Sequence, residues 1–568
     1  MKPGIYVIPG FFILFCKKQM TNAKKYDKIK TTIDQTPDAG GHFMKKTLAL
    51  LLCLVLIAVC FAACGRAEEE QSKDEPVSEG QSVPVSEEES SEPVSEEDPY
   101  KEILENPDIY KGSDYAGRTF KVLTSHSAST MPSEFVFNAD VAEETMPDTV
   151  NQAIRRRNDN VYDLLGVTIE DQYFQAGDRY NGQALTTIRR ILSDADDSYS
   201  MFSICLYDCA TLALDGEIWD LNRLDNINTK NPWWDQSFND SVTIADQLFF
   251  TTGDMGIFMK GYTPVIYYNA NLIENLGLED PINVANRGEW TIDKALEYCR
   301  AMPHEDLPAT EQYLKTFGWS GQNSDMEYIV YGSGVRILSR DADGYLTLTL
   351  NTETAVDAID GIIDFMTDSS YIIGNDLFGI SSAPMELLKQ AFEEGRCMFY
   401  SGGIGTAVEL NMEDTFGILP MPKYSVEQEH YYSMVKTWSS NAYIIGANLG
   451  EEDAEFAAAV MDVMGYYSWI KYPDSVAYNY YEKMIKNQKL VREDSEAMLD
   501  LIFEARGCEL GAIFKIGKKS AGTMVSEMFT KLLNSKGAQK FTSLYDQYKN
   551  AFETDTEDVN EFFKANLE

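Results

Sequence analysis

From about Pro99 onward, short apolar runs alternate with segments whose apolar residues recur at helical spacing. Residues 120–123, the start of a run at 167, and residues 201–206 predict buried strands, and the spacing in 148–165 predicts an amphipathic helix. Strands that alternate with helices are typical of βαβ units. The pattern therefore predicts an α/β fold with a largely parallel sheet.

A second group of elements follows in the middle of the chain. Apolar runs predict strands at 265–268, 397–400, 416–419 and 442–445, and helical spacing predicts helices at 291–302 and 353–366. Two strands on either side of an Asp-Gly turn at 341–344 predict a hairpin. The folded part, roughly 465 residues, is too long for one hydrophobic core and should divide into domains.

Residues 44–64 have the three parts of a secretory signal peptide. Lys45 and Lys46 precede an apolar run, which ends at Ala62-Ala63-Cys64. That run is shorter than the ~20 residues that a membrane-spanning helix needs. A cysteine directly after Ala-Ala resembles a bacterial lipobox, which implies acylation of Cys64 and attachment to the extracellular face of the cell membrane. Membrane contact is expected through this lipid anchor.

The flanking segments differ in composition. We expect residues 1–43 not to be translated, because the codons of Gly40-Gly41 can encode a ribosome-binding site shortly before Met44. Residues 65–99 repeat Pro-Val-Ser-Glu at 76–79, 84–87 and 93–96 and are rich in Glu and Ser. Such a segment cannot bury enough apolar surface to fold. It is predicted to be a disordered acidic tether.

The charge balance excludes one class of partner. The chain has 90 acidic and 48 basic residues, a formal net charge of −42. A surface this acidic repels the phosphate backbone of nucleic acids. We therefore do not expect nucleic acid to bind.

The sequence offers little for catalysis or metal binding. It has no Gly-x-Ser-x-Gly or His-Glu-x-x-His motif, and no metal or other cofactor is predicted. The five cysteines after Cys64 form no Cys-x-x-Cys pair and are predicted to be core residues: Cys205, Cys209, Cys299, Cys397 and Cys508. We therefore expect a protein that is not an enzyme.

Several motifs, in this order, resemble landmarks of the extracellular solute-binding proteins of ABC importers, in particular the family 1 sugar-binding type. They are Asp-Gly-Glu-Ile-Trp-Asp-Leu at 215–221, Val-Ile-Tyr-Tyr-Asn at 265–269, Gly-Glu-Trp-Thr-Ile-Asp at 288–293, the hairpin and helix at 335–366, and Phe-Gly-Ile-Leu-Pro-Met-Pro at 416–422. The resemblance covers most of residues 115–560.

The resemblance implies a two-lobe periplasmic-binding-protein-like fold of type II, with mixed sheets flanked by helices and a ligand cleft between the lobes. Lobe 1 would comprise 100–255 and 436–490, and lobe 2 would comprise 256–435 and 491–568. Crossovers are expected near Gly253 and Lys436. The implied function is capture of a carbohydrate, in particular an oligosaccharide, by a monomer that delivers it to the ABC permease.

Sugar sites need flat aromatic platforms together with in-plane hydrogen-bonding groups, and this chain has seven Trp and 32 Tyr. By the cleft positions of the family, the candidate ligand-binding residues are Tyr207 and Asp208 after a strand, Tyr262 past the first crossover, Trp319 and Asn323 in a predicted polar loop, Gly402 and Gly403 in a predicted loop, and Trp438 at the second crossover. Trp233 and Trp234 are weaker candidates because a similar Pro-Trp-Trp in the family looks structural.

Other functions remain compatible with these residues. The ligand of a binding protein of this class can be a peptide or another polar solute. The alternatives from other classes are an extracellular glycan-active enzyme and a two-lobe receptor that signals to a sensor kinase.

Overall fold

The computed structural model describes residues 101, 114–125, 131–141, 146–174, 179–303, 305, 307–490 and 492–566. Cys64, the signal peptide and the tether lie outside the described residues, so the expectations for 1–99 stay predictions. Within the described residues, none of the helices combines the length and the apolar character that a membrane span requires.

The strands are β1 Thr119–Ser125, β2 Thr168–Phe174, β3 Met201–Cys205, β4 Pro264–Asn269, β5 Phe317–Gly321, β6 Leu338–Arg340, β7 Leu346–Leu348, β8 Tyr371–Ile373, β9 Cys397–Gly403, β10 Phe416–Leu419, β11 Ser433–Met434, β12 Asn441–Ile444 and β13 Arg506–Gly507.

The α-helices are α1 Asp148–Leu165, α2 Gln183–Ser193, α3 Leu206–Leu214, α4 Gln236–Val242, α5 Phe258–Gly261, α6 Ala270–Asn275, α7 Pro281–Asn286, α8 Ile292–Arg300, α9 Asp325–Gly332, α10 Glu353–Met366, α11 Pro384–Glu393, α12 Thr406–Glu409, α13 Glu451–Ser468, α14 Glu493–Glu504, α15 Leu510–Ile513, α16 Lys518–Ala521, α17 Val525–Asn534 and α18 Phe541–Ala565. Three short 3₁₀ segments span Leu221–Arg223, Ala309–Leu314 and Gly374–Leu377, and a π-helix spans Tyr478–Lys489.

Two mixed sheets organise these elements. The first has the order β12-β3-β1-β2, in which β1 lies parallel to β2 and β3, and β12 is antiparallel to β3. The second has the order β10-β4-β9-β5-β8, in which β5, β8 and β9 are parallel and β4 is antiparallel to β9 and β10. Every residue of β3 and β4 is buried, as expected for strands covered by helices on both faces. The predicted α/β fold with mixed sheets is confirmed.

The chain passes between the sheets more than once, which defines two lobes. The first passage lies between β3 and β4, and the second between β10 and β12. After β12, α13 packs against α1 of lobe 1, whereas α14 packs beside β10 and α18 beside β7. The predicted boundaries at 255/256 and 435/436 lie within these two connecting segments, the boundary at 490/491 lies between the π-helix and α14, and the lobe limits stay a prediction.

Local signals explain several element ends. Helix α1 ends at Gly166, whose φ of 68° is left-handed and whose N–H donates to the Tyr162 carbonyl. The Thr352 hydroxyl accepts from the N–H of Ala355 and caps α10. At the predicted Asp-Gly turn, Asp341 Oδ1 accepts from the N–H groups of Asp343 and Tyr345. These elements agree with the sequence pattern.

Two predicted loops are wrong. Trp319 lies in the middle of β5, and Gly402 and Gly403 belong to the end of β9. The small residues around Trp319 are required by close packing, because a Cβ at Gly318 would lie 2.4 Å from Cys299 Cα on α8. Glycines that permit such an approach look like a loop in sequence.

The five cysteines are buried and none is in a disulfide, as predicted for core residues.

Asp462 on α13 forms hydrogen bonds with two buried tryptophans of lobe 1, Trp233 and Trp234. Its Oδ1 accepts from the indole N–H groups of Trp233 at 2.8 Å and Trp234 at 2.9 Å. Trp233 also packs edge-on against Trp469. Because both indoles are buried, these two tryptophans are structural and offer no face to a ligand.

We predict that Asp462→Ala lowers the free energy of unfolding by about 2–3 kcal/mol, because two buried indole N–H groups lose their acceptor. Urea unfolding followed by fluorescence measures this loss. Asp163→Ala, at an exposed position of the neighbouring helix α1, is the matched control and should change stability by no more than about 0.5 kcal/mol. Equal stability of the two variants would contradict the assignment.

Candidate ligand-binding site

A cavity of about 490 Å³ lies where the two sheets and both crossover segments meet. This volume is within the usual range of about 300–1,000 Å³ for small-molecule sites. Its lining residues are Met131, Pro132, Met146, Pro147, Ile257, Phe258, Gly261, Tyr262, Gly403, Gly405, Thr406, Val408, Glu409, Lys436, Ser439, Tyr480 and Met484. Apolar walls with a few polar groups are the usual composition of a ligand site.

The end of β9 lies directly against the first crossover. The N–H of Gly405 donates to the Gly261 carbonyl at 2.9 Å, and the N–H of Ile404 donates to the Thr263 carbonyl at 3.0 Å. A Cβ at Gly403 would lie 2.7 Å from the Gly261 carbonyl oxygen. Glycine at this position therefore lets the two backbones form one wall of the cavity.

Two tyrosines, Tyr262 and Tyr480, line the cavity. The Tyr262 hydroxyl donates to Sδ of Met131 at 2.8 Å, which links the first crossover to the segment that follows β1. Tyr480 comes from the π-helix, and its hydroxyl lies 2.6 Å from where a Cβ of Gly261 would be. In a π-helix, residues four apart share a face, so Tyr480 and Met484 both reach the cavity.

Arg179 fixes the second crossover against lobe 1. Its guanidinium donates to the carbonyls of Ser125 at 2.6 Å, Trp438 at 2.8 Å and Ser439 at 2.9 Å, and to Asn441 Oδ1 at 2.7 Å. The side chain is buried, and burial lowers the pKa of the guanidinium. Hydrogen bonds to these oxygens offset the cost of burying the charge.

Trp438 lies in this crossover between the lining residues Lys436 and Ser439. It is 45% exposed, and its ring centroid is 5.6 Å from the guanidinium carbon of Arg179. An exposed indole beside a cavity is a suitable stacking platform for an apolar sugar face. Trp438 does not itself line the cavity, but it stands at its edge.

Lys436 brings a positive charge to the cavity. Burial lowers the pKa of its ammonium group, and Asp325 opposes this shift. Asp325 is buried and is not one of the lining residues, and its carboxylate accepts from the N–H of Gln322 at 2.8 Å. Burial raises the pKa of Asp325.

Asp208 has a structural role that the sequence did not indicate. It is 1% exposed and its carboxylate accepts from the N–H groups of Tyr180 and Asn181, each at 2.9 Å. Both residues have positive φ, so Asp208 stabilises a strained turn next to Arg179. Its neighbour Tyr207 is buried against Tyr180, with ring centroids 4.8 Å apart. Neither residue lines the cavity.

Trp319, Asn323 and Gly402 also lie outside the cavity wall. Trp319 is fully buried, and its indole N–H donates to Ser401 Oγ at 2.9 Å. The N–H of Asn323 donates to Asn375 Oδ1, and a Cβ at Gly402 would lie 2.9 Å from the Tyr267 ring. A fully buried indole has no face for a ligand, so the expected platform role of Trp319 conflicts with its burial.

The structure thus brings together Tyr262, Gly403 and the crossover that carries Trp438. Sequence analysis missed Tyr480, Met484 and the Met131-Pro132 pair. The run of tyrosines at 478–481 was the one available signal for Tyr480, since aromatic clusters favour sugar sites. No sequence pattern marked Met131 or Met484.

A larger cavity, of about 950 Å³, lies elsewhere, between α4 and the β6–β7 turn. It is lined by polar side chains such as Asn222, Asn239 and Arg340 and contains no aromatic residue. We assign the candidate site to the cavity of about 490 Å³, because it lies where both crossovers meet and combines apolar and aromatic walls with a few polar groups. Across the described residues, no group of three or more His, Cys, Asp or Glu side chains is arranged to hold a metal ion.

No model of a known protein family matches the chain, and no curated protein matches it. Similar solved structures include the ABC substrate-binding protein Lmo0181 from Listeria monocytogenes in complex with cycloalternan, which is 13% identical, covers 77% of this chain and 99% of that chain, and has a TM-score of 0.48. Maltose-bound T. maritima MalE3 is 12% identical over 78% of this chain and 99% of that chain, with a TM-score of 0.45. UgpB from Mycobacterium tuberculosis in complex with glycerophosphocholine is 14% identical, covers 78% of this chain and 99% of that chain, and has a TM-score of 0.48.

We predict that Gly403→Ala destabilises the protein by about 1–3 kcal/mol, because the new methyl group overlaps the Gly261 carbonyl and forces β9 away from the first crossover. Thermal and urea unfolding measure the change. Gly361→Ala, in the middle of α10 with nothing within 4 Å of the new Cβ, should instead stabilise by about 0.5–1 kcal/mol. Equal effects of the two substitutions would show that the close approach at Gly403 is unimportant.

Proposed function

We propose that this protein is the extracellular, membrane-anchored solute-binding protein of an ABC importer, and that it captures a carbohydrate for delivery to the permease. The observation that carries the proposal is the cavity of about 490 Å³ that both lobes and both crossovers line. A ligand held there contacts both lobes at once, so its binding favours a closed arrangement of the two. The proposed anchor is the acylated Cys64.

The chemistry of the cavity supports a sugar. Tyr262, Tyr480 and the adjacent Trp438 present aromatic surface, while Thr406, Ser439 and backbone groups supply hydrogen-bonding partners. Sugars combine apolar C–H faces with hydroxyl groups, and this combination of walls complements both. We infer a binding role without catalysis, in which the protein recognises and releases its ligand unchanged.

A thermal-shift screen of the full chain against oligosaccharides, monosaccharides, peptides and amino acids tests the proposal. A ligand at a concentration of 100 times its Kd adds about 2.7 kcal/mol to stability, which raises Tm measurably. We expect a rise confined to one group of sugars. A response to peptides alone would favour the peptide alternative, and turnover of a glycan during the assay would favour an enzyme.

We predict that Trp438→Ala weakens binding of the sugar found in this screen by about 1–3 kcal/mol, because the exposed indole loses its stacking contact. Isothermal titration calorimetry measures Kd. Tyr162→Ala removes a similarly exposed aromatic ring from α1, outside the cavity lining, and should leave Kd unchanged. If Trp438→Ala folds normally and binds as tightly as the parent, Trp438 is not part of the site.

A further inference from the structure

Lys436 is a cation that lines the cavity without an anionic partner among the residues that the structure describes. Its ammonium group makes no hydrogen bond or ion pair with these residues, and its Nζ lies 5.6 Å from the centroid of the Tyr328 ring. A cation–π contact at that distance leaves the three N–H donors of the ammonium group unused. The cavity therefore contains a charged donor for which the described part of the chain supplies no acceptor.

The buried lysines among the described residues have polar partners. Lys260 forms an ion pair with Asp254 at 2.5 Å, and Lys486 forms one with Asp500 at 2.8 Å. Lys423 donates to the Gln428 carbonyl at 2.7 Å. A desolvated ammonium group without such a partner costs free energy, and this cost applies to Lys436.

The carboxylates of Glu409 and Asp325 form no ion pair with Lys436. Glu409 lines the cavity but pairs with Lys389 at 3.6 Å. Asp325 acts on Lys436 electrostatically, but the two form no ion pair within 4 Å, and the Asp325 carboxylate accepts from the N–H of Gln322. No carboxylate of the described residues therefore accepts from the Lys436 ammonium group, and a ligand can supply such an acceptor.

We propose that Lys436 binds a carboxylate of the ligand, and that the cavity selects oligosaccharides that carry uronic acid units. This inference rests on the proposed function, because it names the substrate class of the same site. A carboxylate forms a charge-assisted hydrogen bond with an ammonium donor, which is roughly twice as strong as a hydrogen bond between neutral groups. The aromatic walls formed by Tyr262 and Tyr480 then contact the rest of the sugar.

A phosphate group fits this site less well. The described lining of the cavity contains one lysine and no arginine, whereas recognition of a phosphate dianion uses several donors or a bidentate guanidinium. The net charge of −42 also opposes a dianion more strongly than a monovalent carboxylate. One buried cation matched to one carboxylate is the arrangement that the geometry favours.

The test measures Kd by calorimetry for two pairs of matched ligands with the full chain. The pairs are trigalacturonate with its methyl ester, and glucuronosyl-xylobiose with xylotriose. We expect at least one acidic ligand to bind about ten- to a hundredfold more tightly than its neutral counterpart, as a charge-assisted hydrogen bond implies. In Lys436→Met this preference should disappear, and in Lys436→Arg it should be largely retained.

Lys471→Met, which removes an exposed lysine away from the cavity, is the control and should keep the preference. Circular dichroism and Tm establish that each variant is folded. If Lys436→Met does not fold, Lys436→Arg still tests the role of the positive charge at this position. Equal or tighter binding of the neutral sugars, or a preference that survives in Lys436→Met, overturns the role of Lys436 and leaves carbohydrate binding intact. Absence of binding by all four sugars, with a peptide as the hit in the thermal-shift screen, overturns both proposals.

Discussion

The buried guanidinium of Arg179 is the interaction on which the candidate site depends. It binds oxygens from the end of β1, from the second crossover and from the start of β12, so one side chain fixes three segments. Asn441 extends the network, since its Nδ2 donates to the carbonyls of Ser125 and Ser203. Because Lys436, Trp438 and Ser439 belong to the crossover that Arg179 holds, their positions at the cavity follow from this one network.

Contacts between the lobes are polar as well as apolar. Lys515, from the lobe 2 side, donates to the Tyr207 carbonyl at 3.3 Å and to the Thr211 hydroxyl of α3. Tyr207 also packs against Met524, just before α17. The two lobes therefore share an interface that combines hydrogen bonds with apolar packing.

The charge of Lys436 at the cavity differs in sign from the net charge of the chain. The chain as a whole is strongly acidic, yet the side chain that meets the cavity without a partner is a lysine. Other cations of the described part, such as Lys260 and Arg492, are paired with carboxylates. The composition argues for neutral or cationic ligands, while the local arrangement around Lys436 argues for an acidic one. At short range in a desolvated site the local charge has the larger effect, because solvent and salt screen distant surface charges.

The sequence by itself determined most secondary structure and the class of fold. Helix α1, the hairpin around the Asp341 turn and the cap at Thr352 are specified by residues close together in the chain, so local patterns predicted them. The pattern predicts a polar loop at Trp319 and a loop at Gly402, whereas both lie in strands, where Gly318 and Gly402 allow close packing against Cys299 and Tyr267. The cavity was decided by tertiary structure alone: Met131, Tyr262, Gly403, Lys436 and Tyr480 are far apart in sequence, and they meet only because the strand ends and both crossovers converge there.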